Sequence, residues 1–351
     1  MNKLDNIKKI QQLDPDDMYH KIIKIPEQIL KAYFEPQLKT PKGFSSLQLN
    51  IINKVVICGM GGSAISGDIA RSAFGTKIPF EVVKDYHIPY LDKNTLVVIL
   101  SYSGNTEETL SCLQQALQST KFIGVITSGG KVKQLIDGDH CWLELPSGLP
   151  PRSAIGHLFF SLMKILETFK IIPDHTKQVR SVIANLVKKA GAIADSVPEE
   201  MNIAKFAAGK IEGKIPIIYT SNPQLAPLGY RWKCQFNENA KYPAFHHTFP
   251  EMNHNEIEGW EAEDFRDKFV PIILSKFKEA PKYQKRVNAF RDILRRSDID
   301  FLEYYAEGSS LVEEIFSLIY LGDMVSFYLG ILRGVNPTSI EFIDYLKKTI
   351  Q

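Results

Sequence analysis

Lys54–Asp68, KVVICGMGGSAISGD, gives the clearest indication of the fold. A short apolar run, KVVICG, is followed at once by more glycines and then by a helical pattern at about 63–75. A continuous apolar run is typical of a strand buried on both faces of a parallel sheet. Glycines allow the chain to turn sharply between the strand and the helix. The stretch therefore predicts a strand–loop–helix unit whose loop lies at the carboxyl edge of a sheet.

The same signature recurs along the first half of the chain. Further apolar runs predict strands at Phe80–Lys84, Thr95–Leu100, Phe122–Thr127 and Cys141–Leu145. Helical patterns lie between them at about 63–75, 105–119 and 130–137. Strands that alternate with helices indicate right-handed crossovers and a parallel sheet with helices on both faces.

A second α/β pattern occupies the rest of the chain. The turn signal Leu149-Pro150-Pro151 suggests a boundary, which divides the chain into domains 1–150 and 151–351. Strands are predicted at 215–220, 244–249, 269–274 and 299–304, and terminal helices at 3–13, 15–35, 309–333 and 338–349. The predicted fold class is α/β, with two doubly wound parallel-sheet subdomains of the flavodoxin-like type and extra N- and C-terminal helices.

Composition and net charge limit the kinds of molecule that the protein is expected to bind. The 351 residues are 44% apolar and 23% charged with a net charge of +2, so we expect no nucleic-acid or membrane partner. The four cysteines have no metal-finger spacing, and the N-terminus has no apolar core of a secretory signal. Residues 315–332 have the length of a membrane span, but Asp323 near the centre favours a buried helix. These features together predict a cytoplasmic protein with free thiols.

Two loops are candidates for holding a phosphate group. Cys58–Asp68 and Leu100–Leu110 each follow a predicted strand and open a helix, whose N-terminal N–H groups attract anions. The first is not a GxxxxGK[ST] P-loop, and Ala64 stands where a dinucleotide fingerprint has its third glycine. Hydroxyl groups in the second suit a single monoester phosphate. The alternative for the second loop is a plain turn followed by a helix N-cap.

The segment Arg231–Trp260 holds a candidate carboxylate, Glu238, and a candidate histidine, His254. From spacing alone, a surface glutamate at a helix end and a structural or surface histidine are the more frequent cases. The neighbouring histidines fit no HExxH pattern, so we predict no metal site.

These motifs resemble a known family. GMGGS, SYSGNTEET and ITSGG are similar to the sugar isomerase (SIS) domain, which binds phosphosugars. PPRSAIG, NENAK, FPEMNHNEIEGW and GVNPTSIEFIDYLKK, in that order, resemble the bifunctional phosphoglucose/phosphomannose isomerases of the phosphoglucose isomerase superfamily. The resemblance implies two SIS subdomains, an aldose–ketose isomerisation of hexose 6-phosphates through an enediolate, no cofactor, and a homodimer with its site at the subunit interface.

The resemblance also implies roles for individual residues. Glu238 becomes the base, His254 assists ring opening, Lys347 takes part in proton transfer with Lys348 as its competitor, and Arg152 stabilises the enediolate. The phosphate contacts fall on the two loops, at Gly62, Ser63, Ser101, Ser103 and Thr106.

Three other functions remain open from the sequence. A non-catalytic phosphosugar sensor would use the same loops, but such regulators usually carry a basic DNA-binding segment, which is not apparent here. Another SIS enzyme, such as an amidotransferase-linked sugar synthase or a phosphoheptose isomerase, is the next alternative. A nicotinamide dehydrogenase is the weakest of the three.

Overall fold

The computed structural model describes residues 3–40, 49–136 and 140–350. By its packing, the chain forms two compact units. We call Lys24–Ile183 the N-terminal unit, and Met1–Ile23 together with Ala184–Gln351 the C-terminal unit. These bounds differ from the predicted division into domains 1–150 and 151–351, which stays a prediction.

The N-terminal unit is built on one six-stranded sheet. Its strands are β1 Leu38–Lys39, β2 Lys54–Cys58, β3 Phe80–Val83, β4 Thr95–Ser101, β5 Ile123–Thr127 and β6 Cys141–Glu144. The spatial order is β1-β6-β5-β4-β2-β3, in which only β1 is antiparallel to its neighbour. The five parallel strands thus follow the flavodoxin-like order 2-1-3-4-5. Every residue of β4 and β5 is buried, as expected for central parallel strands.

Helices cover this sheet. They are α3 Ile25–Phe34, α4 Gly61–Ala73, α5 Glu107–Ser119, α6 Gly130–Leu135 and α7 Ile155–Thr168. α7 is the most apolar of them and packs on α3 and α4. The helix α8, Thr176–Ile193, begins in the N-terminal unit and ends in the C-terminal unit.

The C-terminal unit repeats the arrangement on a four-stranded parallel sheet. Its strands are β7 Ile215–Thr220, β8 Phe245–Thr248, β9 Phe269–Lys276 and β10 Leu302–Ala306. They lie in the order β10-β9-β7-β8, so the strand order reverses between β7 and β9, as it does between β2 and β4 of the first sheet. The doubly wound α/β fold expected from the sequence is therefore confirmed in both units.

A long apolar helix forms the core of the C-terminal unit. The helices of this unit are α1 Ile7–Leu13, α2 Met18–Ile23, α9 Ile203–Ile211, α10 Ala226–Asn239, α11 Pro281–Arg296, α12 Leu311–Leu332 and α13 Glu341–Ile350. Among the described residues, α12 is long and apolar enough to cross a membrane, yet 94% of that window is buried inside the chain. It packs on α2, α9, α10 and β10. The buried-helix interpretation of the sequence is thus confirmed by the packing.

Several element bounds differ from the sequence-based ones. The single helix predicted at 15–35 is broken at Lys24, because Pro26 in the first turn of α3 supplies no N–H to continue the preceding helix. Asp14 caps the start of α2, because its carboxylate accepts hydrogen bonds from the N–H groups of Met18 and Tyr19 at 2.8 Å each. Residue 137 of the predicted helix 130–137 lies outside the described residues.

Candidate functional site

The first glycine loop joins β2 to α4 at the point where the strand order of the N-terminal sheet reverses. Gly61 has φ +51°, a conformation that favours glycine. A Cβ on Gly59 would lie 2.8 Å from the backbone oxygen of Leu100, at the end of β4. This close approach brings the ends of the neighbouring strands β2 and β4, and so both loops, to one edge of the sheet. In open α/β sheets, ligands bind in the crevice at such a point of reversal.

The second loop joins β4 to α5 and is fixed by backbone contacts. Gly104 has φ +67°, and a Cβ there would lie 1.8 Å from the backbone oxygen of Gly129. The Gly104 N–H lies 3.2 Å from the hydroxyl oxygen of Ser101. The Ser101 hydroxyl in turn lies 3.5 Å from that of Thr106, which is the N-cap residue of α5 but makes no side-chain capping bond.

The predicted phosphate-binding side chains differ in accessibility. Ser63 and Ser101 are buried, 4% and 2% exposed, whereas Ser103 is exposed and Thr106 is partly exposed. At Gly62 the helix α4 has just begun, and the first N–H groups of a helix have no acceptor within it. The loop therefore presents backbone donors and accessible hydroxyls, the combination that binds a phosphate group.

Arg152 lies beside the first loop. It is in the short 3-10 helix Pro151–Ser153, which the double proline begins, and its side chain is only 4% exposed. A Cβ on Gly62 would lie 3.2 Å from the Pro151 oxygen and 3.4 Å from the Arg152 Cα. The alternative that the sequence leaves open is a surface or helix-end arginine, and the surface position is excluded by this burial. Glycine at 62 allows the arginine segment to pack directly against the loop.

Glu238 lies in the last turn of α10 and is partly exposed. Trp232 and Phe236 are four residues apart, which predicts a buried stripe on this helix, and they are 1% and 0% exposed. The spacing of Arg231, Gln235 and Glu238 predicts a shared helix face that could line a site, but Arg231 does not lie on an open surface. It is 1% exposed and forms a bidentate ion pair with the buried Asp323 of α12.

A cavity of about 570 Å³ adjoins Glu238. The helix end, the connection after α12 and the first turn of α13 line it: Asn237, Glu238, Lys241, Val335, Asn336, Ser339, Ile340, Glu341, Phe342 and Ile343. The Lys241 ammonium donates a hydrogen bond of 2.9 Å to the backbone oxygen of Glu238 and another to the backbone oxygen of Asn336. The lysine of NENAK therefore ties the end of α10 to the chain that leads into α13. The lining residues Asn336 and Ser339 were not identified from the sequence, although both belong to the motif GVNPTSIEFIDYLKK.

His254 ends the 3-10 helix Glu251–His254 and is exposed to solvent. The chain on either side of it is anchored, because Met252 is fully buried and Trp260 is 6% exposed. The other two histidines of the segment, His246 and His247, are less exposed than His254. Burial lowers the pKa of His246 to about 4, with the nearby His247 as a smaller cause. A Cβ on Gly229 of α10 would lie 2.3 Å from the His246 ring.

The C-terminal helix α13 carries Lys347 and Lys348, and all of its residues are exposed. Ile343 lines the cavity beside Glu238, and Lys347 is four residues further along the helix. Side chains four apart lie on the same helix face, so Lys347 continues the face that Ile343 begins. Lys348 lies seven residues, or two turns, after Glu341, which also lines the cavity, so helix periodicity does not distinguish the two lysines.

Within the described ranges no group of three or more His, Cys, Asp and Glu side chains is arranged to hold a metal ion. The four cysteines are free thiols, as expected, and Cys58, Cys112 and Cys141 are buried. The two sets of candidate residues belong to different units: the loops and Arg152 to the N-terminal unit, and Glu238, His254 and Lys347 to the C-terminal unit.

Comparisons with known proteins identify both units. Residues 48–151 match the SIS domain, and residues 200–350 match the bacterial phospho-glucose isomerase C-terminal SIS domain. A bifunctional phosphoglucose/phosphomannose isomerase from Caldicellulosiruptor bescii is 37% identical over 95% of this chain and 98% of its own length. A D-glucosamine-6-phosphate 4-epimerase from Sulfolobus acidocaldarius is 34% identical over 84% of this chain and 88% of its own length.

Solved structures share the fold at low sequence identity. The hypothetical protein TT0462 from Thermus thermophilus has a TM-score of 0.76 at 14% identity, over 98% of this chain and 93% of that one. The extent of the sequence match, across both units and nearly the full length of the relative, decides the assignment. The chain belongs to the bifunctional phosphoglucose/phosphomannose isomerase family of SIS-domain proteins.

Proposed function

We propose that this isomerase interconverts glucose 6-phosphate and mannose 6-phosphate with fructose 6-phosphate through a cis-enediolate. The observation that carries the proposal is the position of Glu238, a partly exposed carboxylate beside a cavity of about 570 Å³ at the end of a well-anchored helix. The same position holds the glutamate of NENAK, within a chain 37% identical to an enzyme named for these two activities.

The phosphate group is assigned to the N-terminal unit. The backbone N–H groups at the start of α4, including that of Gly62, and the hydroxyls of Ser103 and Thr106 would donate to its oxygens. Ser63 and Ser101 are more buried, and Ser101 also accepts from the loop backbone. We assign these two serines to holding the loops in shape as well as to contacting the phosphate.

Proton transfer between C1 and C2 is assigned to Glu238. A carboxylate removes the C2 proton of the open-chain aldose and returns it to C1, which gives the ketose. The intermediate carries negative charge on its oxygens, and a cation held nearby lowers the barrier to forming it. Arg152 is our candidate for that cation, since its guanidinium stays protonated while buried.

Ring opening needs a proton moved between the anomeric hydroxyl and the ring oxygen. His254 is assigned this transfer, because an exposed imidazole offers one nitrogen that donates a proton and one that accepts it. Lys347 is assigned an assisting role. It lies on the helix whose first turn lines the Glu238 cavity, and Lys348 of the same helix stays its competitor.

Activity on two sugars follows from one intermediate. Glucose 6-phosphate and mannose 6-phosphate differ only in configuration at C2, and removal of the C2 proton gives the same enediolate from both. The same base therefore serves both substrates when the intermediate has room to rotate about C2–C3. No cofactor takes part in this scheme.

The test is a coupled assay with fructose 6-phosphate that detects glucose 6-phosphate and mannose 6-phosphate separately. Glu238→Gln should lower kcat by about 10²–10⁴-fold, because general base catalysis contributes that much. Glu251→Gln, an exposed glutamate of the same segment, is the matched control and should stay within a factor of about two, as expected of a surface change. Full activity of Glu238→Gln would remove it as the base, and absence of both products from the unaltered protein would refute the proposed function.

We further propose that the enzyme is a cytoplasmic homodimer whose site takes His254 from the neighbouring subunit. The exposed position of His254 supports this assignment. So does α13, whose apolar side chains Phe342, Tyr345, Leu346 and Ile350 are 91%, 71%, 56% and 63% exposed. Such a surface is typical of an interface.

Mixing two inactive variants tests the shared site. Subunits of Glu238→Gln and His254→Ala, unfolded together and refolded, should recover roughly one quarter of the wild-type activity. About half of the dimers are then mixed, and each mixed dimer holds one intact site when the histidine crosses the interface. Recovery of no activity from a confirmed mixed dimer would place both residues in the same chain.

A further inference from the structure

Glu256 is a partly buried carboxylate for which the proposed reaction has no use. It lies two residues after His254, at the start of the 3-10 helix Glu256–Glu261. The two short helices are joined only through Asn255, whose side chain accepts a 2.6 Å hydrogen bond from the Glu256 N–H. Any constraint on Glu256 therefore acts on His254 through two residues, a span of at most about 7 Å.

The two oxygens of Glu256 are held by neighbouring strands. Tyr219 of β7 donates a hydrogen bond of 2.7 Å to Oε1, and His247 of β8 contacts Oε2 through Nδ1. Tyr219 and His247 are register partners in the parallel pair β7–β8, so their side chains project from the same face of the sheet. One carboxylate thus bridges two strands at a single register position.

A second residue of the segment supports the same contact. Trp260 donates from Nε1 to the Tyr219 hydroxyl at 3.1 Å, so this hydroxyl receives one bond and gives another. Tyr219 is fully buried and packs against Phe249 and Phe290 at ring-centroid distances of 6.3 and 5.0 Å. The phenol that holds Glu256 is itself fixed by the core, whereas the segment that it holds is largely exposed.

We infer that Glu256 is a positioning residue for His254. Its carboxylate fastens the exposed 3-10 segment to β7 and β8, and this sets where the His254 imidazole is presented. The contact is made by directional hydrogen bonds to a rigid sheet, which restricts the segment more narrowly than the burial of Met252 alone. The inference rests on the proposed role of His254 in ring opening.

The test is a double-mutant cycle in the fructose 6-phosphate assay. Glu256→Gln keeps the size of the side chain but removes one of the two acceptors. We expect it to lower kcat/KM at least about tenfold in the otherwise unaltered enzyme. In the His254→Ala background the same substitution should change kcat/KM less than about twofold, because a residue that acts only through His254 has nothing left to position. Tyr219→Phe, which removes one donor, should show the same dependence on His254 with a smaller loss.

Glu258→Gln is the matched control, since Glu258 is an exposed glutamate of the same 3-10 helix. It should leave kcat/KM within a factor of about two in both backgrounds. An equal loss from Glu256→Gln with and without His254 would mean a general structural role and would overturn the inference. No loss in the unaltered enzyme, or no effect of His254→Ala, would overturn it as well. Failure of the proposed function is a separate result, in which the unaltered protein makes neither aldose phosphate.

Discussion

Replacement of Asp323 by Ala should destabilise the C-terminal unit more than an ordinary surface change. Asp323 and Arg231 are each 1% exposed, and two hydrogen bonds join them: Nε to Oδ1 at 3.1 Å and one terminal nitrogen to Oδ2 at 2.5 Å. Asp323→Ala leaves the guanidinium buried without this carboxylate. Breaking a buried pair by removing one partner costs about 3–5 kcal/mol.

That free energy corresponds to a large change in melting temperature. For a unit of roughly 200 residues, 1 kcal/mol shifts Tm by about 2–4 °C, so the expected decrease is roughly 6–20 °C. Circular dichroism on heating measures it, and urea unfolding gives the free energy independently. Asp292→Ala, which removes an exposed aspartate of α11, should change stability by no more than about 0.5 kcal/mol.

The double variant Arg231→Met with Asp323→Leu distinguishes the effect of losing the ion pair from the effect of burying an unpaired charge. Removing both charges avoids an unpaired buried ion, so this variant should recover most of the lost stability. A Tm decrease below about 2 °C for Asp323→Ala would refute the reasoning, since each kcal/mol is worth at least that much in a unit of this size. Equal instability of the single and double variants would show that the unpaired buried charge is not the cause of the loss.

Two further predictions concern the N-terminal unit. Burial, and to a smaller extent Lys31, lowers the pKa of His157 from 6.5 to about 4. The contribution of the neutral imidazole to the free energy of unfolding is therefore complete above about pH 6.5 and is lost as pH falls through 4. His157→Gln should therefore reduce the loss of unfolding free energy between pH 7 and pH 4 by up to about 3 kcal/mol, and an unchanged pH dependence would contradict the assignment. Gly104→Ala should raise KM for fructose 6-phosphate at least about tenfold, because its Cβ would meet the Gly129 oxygen at 1.8 Å. Gly148→Ala shares the positive φ but has open space around it, so it should leave KM unchanged, and equal effects of the two would exclude the clash as the cause.

Features that depend on nearby residues were predictable from the sequence. Local periodicity and turn chemistry predict the turn and helix after β2 and the buried pair Trp232 and Phe236. The structure contains these features. The role of Arg231 was not predictable in this way. Its partner Asp323 is 92 positions away, and no local pattern reports that the two side chains meet in the core.

The candidate site likewise has features that local sequence predicts and features that depend on distant contacts. The two loops could be placed at one edge of a sheet, because parallel strands share their carboxyl edge. The contact of Gly62 with the Arg152 segment was not foreseen, since it depends on how the chain returns to the sheet after β6. The contacts of Tyr219 and His247 with Glu256 depend on the register of β7 and β8, which apolar runs alone do not specify.

The second sheet explains why the phosphate is assigned to one unit only. Its strand order reverses between β7 and β9, so the loops after these strands correspond to the two glycine and hydroxyl loops of the first sheet. At this edge of the second sheet, the negatively charged group is a side chain of the protein itself. The Glu279 carboxylate, from the loop after β9, accepts hydrogen bonds from Ser221 and, at 2.8 Å, from Asn222 in the loop after β7. A carboxylate already bonded to these donors would repel a phosphate and withhold its partners, whereas the first sheet has glycines and accessible hydroxyls at the same place. The two halves therefore share one architecture, whereas the donors at the edge of the second sheet are already bonded to Glu279.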